Sequence, residues 1–131
     1  MGPWGALQLE TAAEVAEAIE DVQAWGFPRP IDDSELRGAW FRMGRGVVWW
    51  YEEWRADMPD AGWVHLAVAP RLHGGAWPVR RWTVAVEIVG EIIGASVLLF
   101  APLPNQGQVV EYLRRLNWKP QGDFMVKPLG G

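Results

Sequence analysis

Trp63-Val-His-Leu-Ala-Val-Ala-Pro70, followed directly by Arg71-Leu-His-Gly-Gly-Ala76, is the stretch on which the fold turns. A continuous apolar run closed by a proline reads as a buried central strand. The two glycines then give a turn whose backbone a ligand can approach closely. From Pro78 to Ile93 the pattern is helical, with Val79, Trp82, Val86, Val89 and Ile93 on one face and Arg80, Glu87 and Glu91 on another. Pro78 suits the first helical turn, where a missing N–H costs nothing, and Gly94 suits the end. Ser96 to Ala101 reads as a second buried strand, Gln106 to Leu116 as a second helix, and Phe124 to Lys127 as a closing strand.

Toward the N-terminus, Ala6 to Glu10 alternates mildly, as a first strand does. Thr11-Ala-Ala-Glu14 is a capping-box signature, and Val15, Ile19 and Val22 recur behind it at helical spacing. That helix should end near Trp25-Gly26, ahead of Pro28 and Pro30. Asp32, Asp33 and Ser34 are helix-start residues, so Ile31 to Leu36 reads as one more turn. Gly38 to Met43 and Val47 to Ala56 read as strands joined by Gly44-Arg45-Gly46. Asp57 to Gly62 is a turn, and Trp63 to Ala69 the fourth strand. The order β-α-(α)-β-β-β-α-β-α-β describes a single α+β domain over residues 1–131. It predicts a mixed central sheet with an antiparallel N-terminal meander, a C-terminal βαβ unit and helices on both faces.

Composition narrows the function classes. Half of the 131 residues are apolar and 21% are charged, as in a globular chain. A net charge of −4 argues against direct nucleic-acid binding through a broad basic surface. With no cysteine there is no disulfide and no thiolate metal site. The two histidines, His65 and His73, and the scattered carboxylates show no metal-ligand spacing, so no metal is expected. Glu87 and Glu91 interrupt the longest apolar window, which therefore reads as helix and strand rather than a membrane span. The N-terminus lacks the basic and apolar regions of a secretory leader. A cytoplasmic location is the expectation.

Ten tryptophans are the compositional outlier. Trp49 and Trp50 are neighbours, and neighbours on a strand point to opposite faces. Either both faces are covered, or Trp49, Trp50 and Trp54 offer a surface to a protein partner.

The element order and the loop resemble the Gcn5-related N-acetyltransferase (GNAT) family. The resemblance covers nearly the whole chain in element order, and in residues about Trp63 to Leu129. It implies an acyl-CoA-dependent N-acyltransferase that moves an acetyl group from acetyl-CoA to a primary amine. The family's pyrophosphate loop matches in one register as Arg71, Gly74, Gly75 and Ala76. In a second register His73 takes the basic position, and Ala76 and Pro78 fall on the glycine positions. The pantetheine arm would pair with the fourth strand at Val68. Asn105 follows the fifth strand, and Tyr112, seven residues on, sits where the family often has its general acid. The closing phrase Leu113-Arg-Arg-Leu-Asn117-Trp118 offers another register, with Leu113 at that position. One residue on a helix is a turn of about 100°, so both cannot face the thiol. For the base the fourth strand offers His65, and Glu52 or Glu53 on the preceding strand would hold a water near the acceptor. Compact phage proteins of this family suggest an alternative: an inactive structural protein of virion assembly or DNA delivery, virion-associated and docked through its tryptophans. A small-ligand module with aromatic walls is a third reading.

Overall fold

The computed structural model describes residues 6–75 and 77–129; Trp4, Ala76 and the Trp77 side chain lie outside the described residues. In chain order the elements are β1 (Ala6–Leu9), α1 (Ala12–Ala24), α2 (Asp33–Leu36), β2 (Ala39–Met43), β3 (Val47–Tyr51), β4 (Ala61–Val68), α3 (Trp77–Ile92), β5 (Val97–Phe100), α4 (Gly107–Arg115), β6 (Lys119–Gln121) and β7 (Phe124–Pro128). They build one mixed sheet in the order β1-β2-β3-β4-β5-β7-β6. Strands β1 to β4 form an antiparallel meander. Strand β5 returns parallel to β4 after α3, the expected βαβ unit. The apolar run of β4 takes the fourth of seven positions, with pairing on both edges.

Local chemistry explains where the elements begin. Thr11 Oγ1 accepts from the Glu14 N–H at 3.1 Å, and Glu14 Oε1 accepts from the Thr11 N–H at 3.1 Å, so the capping box starts α1 as read. Gly38 precedes β2 because a Cβ there would collide with the Tyr51 carbonyl oxygen. Strand β3 is shorter than the sequence suggests. Glu52 still donates to the Trp63 carbonyl, but the Glu53 N–H turns away to Ser34 O at 2.9 Å, and the ladder ends. Strand β6 was not expected. Its three residues are all exposed, and it pairs with β7 through a hairpin whose Gly122 has φ +61°.

Period-two alternation sends the aromatic residues to two separate cores. Trp40, Val48, Trp50 and Ala67 pack with Ala18 and Val22 of α1. Phe41, Trp49, Tyr51 and Leu66 pack with Trp82 and Val86 of α3 and Leu113 of α4. Opposed residues stack across the β2–β3 pair: Trp40 on Trp50 at 4.4 Å between ring centroids, and Phe41 on Trp49 at 4.1 Å.

This corrects the partner surface. Trp49 and Trp50 have no exposed area, because helices cover both faces of the sheet, and only Trp54 of the three reaches solvent. Among the described residues no helix is long and apolar enough to cross a membrane.

Candidate active site

Strands β4 and β5 pair only from Ala61↔Val97 to Val64↔Phe100. Beyond Val64, β4 continues to Val68, while the chain leaving β5 turns away through Pro102 and Pro104. Proline cannot donate to a ladder, which fits strands that part there. The result is a fork. On the β3 side, Trp50 pairs with His65 and Val48 with Ala67. The carbonyls of Leu66 and Val68 face the fork instead, where they accept from Gln106 Nε2 and His73 Nε2, each at 2.9 Å.

A cleft of ≈ 700 Å³ occupies the fork. Trp25 and Phe27, just past α1, form one wall, and Val79 of α3 and Val109 of α4 form the other. Leu66 to Val68 run along its base. Of the residues singled out in the sequence, Val68, His73, Gly74, Gly75, Asn105 and Tyr112 line this cleft. Tyr112 is half-buried on the cleft wall, whereas Leu113 beside it points fully into the core.

Arg71 is exposed and outside the lining; its guanidinium lies beside Gly46 in the β2–β3 turn. The turn after β4 donates much of its backbone to itself. Leu72 N–H bonds Ala69 O at 2.9 Å, His73 N–H bonds Pro70 O at 3.1 Å, and Gly75 N–H bonds Leu72 O at 3.4 Å. Gly74 is required there by its φ of +88°, since the space around its Cα is open.

Glu52 and His65 sit together but do not line the cleft. His65 follows Val64, the last β4 residue paired to β5, so it stands where the fork opens. Its ring lies on the α1 side, 5.5 Å from the Trp50 ring. His65 Nε2 is 3.0 Å from Glu52 Oε1 and 3.6 Å from Glu35 Oε2, and Nδ1 is 3.5 Å from Arg29 Nη2. An arginine can only donate, so this arrangement favours the tautomer with the proton on Nε2, directed at Glu52.

Behind them is a group the sequence reading missed. The Glu35 side chain has no exposed surface. Arg29 grips it in a fork, Nη1 to Oε1 at 2.6 Å and Nη2 to Oε2 at 3.1 Å, and Trp50 Nε1 donates to Oε2 at 2.7 Å. Burial pushes this carboxyl up, but donation from Arg29, Trp50 and the Asp32 backbone outweighs it and holds it below the ordinary value. Ligand atoms of Glu35, Glu52 and His65 lie within 4.8 Å of one another, a spacing a metal ion could bridge. The oxygens of Glu35 are already committed to Arg29 and Trp50, so the cation this cluster holds is a guanidinium. The sequence marked only Asp32, Asp33 and Ser34 as helix-start residues; in the structure Glu35 Oε1 also accepts from the Asp32 N–H at 3.1 Å, at the start of α2. Gln106 was the other omission; a polar residue just after Asn105 at a helix start was its only signal.

No family model and no curated protein matches the chain. Solved structures do. The chain is similar to YncA of Salmonella typhimurium, a putative acetyltransferase solved with its cofactor acetyl-CoA, at 15% identity and a TM-score of 0.66 over 96% of this chain and 95% of that one. It is similar to a putative phosphinothricin N-acetyltransferase at 8% identity and a TM-score of 0.71, over 96% and 99% of the two chains. It is also similar to aminoglycoside acetyltransferase AAC(6')-Ib in complex with coenzyme A and kanamycin, at 13% identity and a TM-score of 0.66, over 94% of each.

Proposed function

We propose that this chain, which has the fold of the GNAT N-acetyltransferases, moves an acyl group from acyl-CoA to a primary amine. The observation that carries the reading is the fork: an elongated cleft along β4, two strand carbonyls facing into it, and a half-buried tyrosine on its wall. Neighbours of the same fold are solved with acetyl-CoA, or with coenzyme A and an aminoglycoside, which supports acetyl-CoA as the donor.

The residues divide the work as follows. Leu66 and Val68 offer backbone groups to an extended amide-bearing arm, as a neighbouring strand would. His73, Gly74, Gly75 and Asn105 lie along the same cleft and meet the phosphate end. The acceptor amine approaches from the α1 side and passes its proton through a water to the Glu52 carboxylate, which His65 holds in place. The amine nitrogen then bonds the thioester carbon, and the carbon–sulfur bond breaks. The Tyr112 phenol gives its proton to the leaving thiolate. The alternative of a structural protein docked through its tryptophans loses its main residues, because Trp49 and Trp50 are buried.

Calorimetry with acetyl-CoA, followed by thiol release with a panel of primary amines, tests this. Micromolar binding with a matching rise in Tm is expected. Tyr112→Phe should cut kcat by about 10²–10⁴-fold and leave acetyl-CoA affinity unchanged. Absence of binding and of any Tm change at millimolar acetyl-CoA would defeat the reading.

A further inference from the structure

Gln106 links the two arms of the fork. Its Nε2 donates across the gap to the Leu66 carbonyl on β4 at 2.9 Å. Its Oε1 accepts from the Leu103 N–H, on the chain leaving β5, at 2.9 Å. The Gln106 backbone N–H donates back to Leu103 O, also at 2.9 Å, so the side chain is anchored to its own turn before it reaches across. Gln106 is also the N-cap of α4, the helix that carries Tyr112. One planar amide thus ties β4 to the β5–α4 turn, at the residue where the helix that forms the cleft wall begins.

We infer that Gln106 is a positioning residue, a strut that holds the fork at the width an extended ligand arm needs. A backbone carbonyl has two lone pairs, so Leu66 can hold Gln106 and still accept a second bond from a ligand amide. The strut therefore need not leave when the cleft fills. Its effect on affinity rests on the acyl-CoA reading above; the bridge itself does not.

Two variants separate the bonds. Gln106→Glu keeps an oxygen for the Leu103 N–H but sets a carboxylate oxygen against the Leu66 carbonyl. Gln106→Leu removes both bonds. In the ligand-free protein, hydrogen exchange at the Leu103 amide should speed up in Gln106→Leu and stay at the wild-type rate in Gln106→Glu. Acetyl-CoA affinity should fall about tenfold in both, the scale of one lost hydrogen bond. In turnover, KM for acetyl-CoA should rise more than kcat falls, with Tm of Gln106→Glu close to wild type. A generally damaged fold would instead lower Tm without that split. Wild-type affinity in both variants would overturn the strut, and tighter binding would show that the side chain obstructs the cleft. If wild type itself fails to bind acetyl-CoA, the acyl-CoA reading falls, and the Leu103 exchange rates alone decide the bridge: acceleration in Gln106→Leu supports it, no change removes it.

Discussion

At Glu35, a carboxylate without exposed surface receives donors from Arg29 Nη1 and Nη2, from Trp50 and from the Asp32 backbone. The Arg29 side chain keeps 32% of its surface in solvent, so the pair is anchored inside and open at one end. Removing the arginine leaves a buried charge without its counter-ion. Arg29→Met should cost about 3 kcal/mol in urea unfolding at neutral pH, the low end for breaking a buried pair because one partner is part-exposed. The same site sets an acid limb. Its folded carboxyl titrates below the ordinary 4.5 while the unfolded one titrates near it, so the stabilisation is complete above that pH and is lost as pH falls below it. Glu35→Gln should flatten the decline in stability below pH 4.5, and an unchanged slope would assign the acid limb to other groups. Gly38 makes a steric claim of the same kind. A Cβ there meets backbone, the Tyr51 carbonyl, whereas a Cβ at Gly74 meets open space and only a positive φ. Gly38→Ala should therefore lower Tm well beyond Gly74→Ala, whose cost is about 1–2 kcal/mol of left-handed strain.

At the scale of elements, Tyr51 fastens β3 to α3 by donating its hydroxyl to Val86 O at 2.5 Å inside the core. Burial raises its phenol far above the usual tyrosine range, and the Glu87 charge adds to that. The folded state therefore keeps the phenol neutral while the unfolded chain ionises near 10, so stability should fall as pH rises beyond 10. Tyr51→Phe should remove that alkaline decline at the expense of about 1 kcal/mol at neutral pH.

The elements that were legible in the sequence are those whose causes are local. The Thr11–Glu14 box starts α1 within one turn, and the apolar run of β4 announces a central strand by itself. Where the cause is distant, the letters gave no warning. Ser34 O captures the Glu53 N–H and ends β3 early. Strand β6 is an exposed edge containing Pro120, with neither alternation nor an apolar run to mark it. The candidate site divides the same way. Asn105 and Tyr112 were implied by the family resemblance, which rests on one continuous segment, whereas the Gln106–Leu66 bond joins residues 40 apart, and the Glu35 cluster draws on a loop, a helix and two strands.

Across the described residues, a mixed sheet covered on both faces leaves its backbone open at the β4–β5 fork. The aromatic residues that looked like an outer surface instead fill the two cores, and that filling lets rigid strands hold the fork open. The cleft reaches both the α1 side and the α3–α4 side of the sheet, which suits two reactants meeting from opposite faces. In the proposed function an acyl-CoA arm lies along β4 in that fork. Backbone NMR during an acetyl-CoA titration tests it most directly. Saturable shifts are expected, concentrated at Leu66 to Val68, His73 to Gly75 and Asn105 to Gln106. No shifts up to millimolar ligand, or saturable shifts confined to another surface, would contradict it.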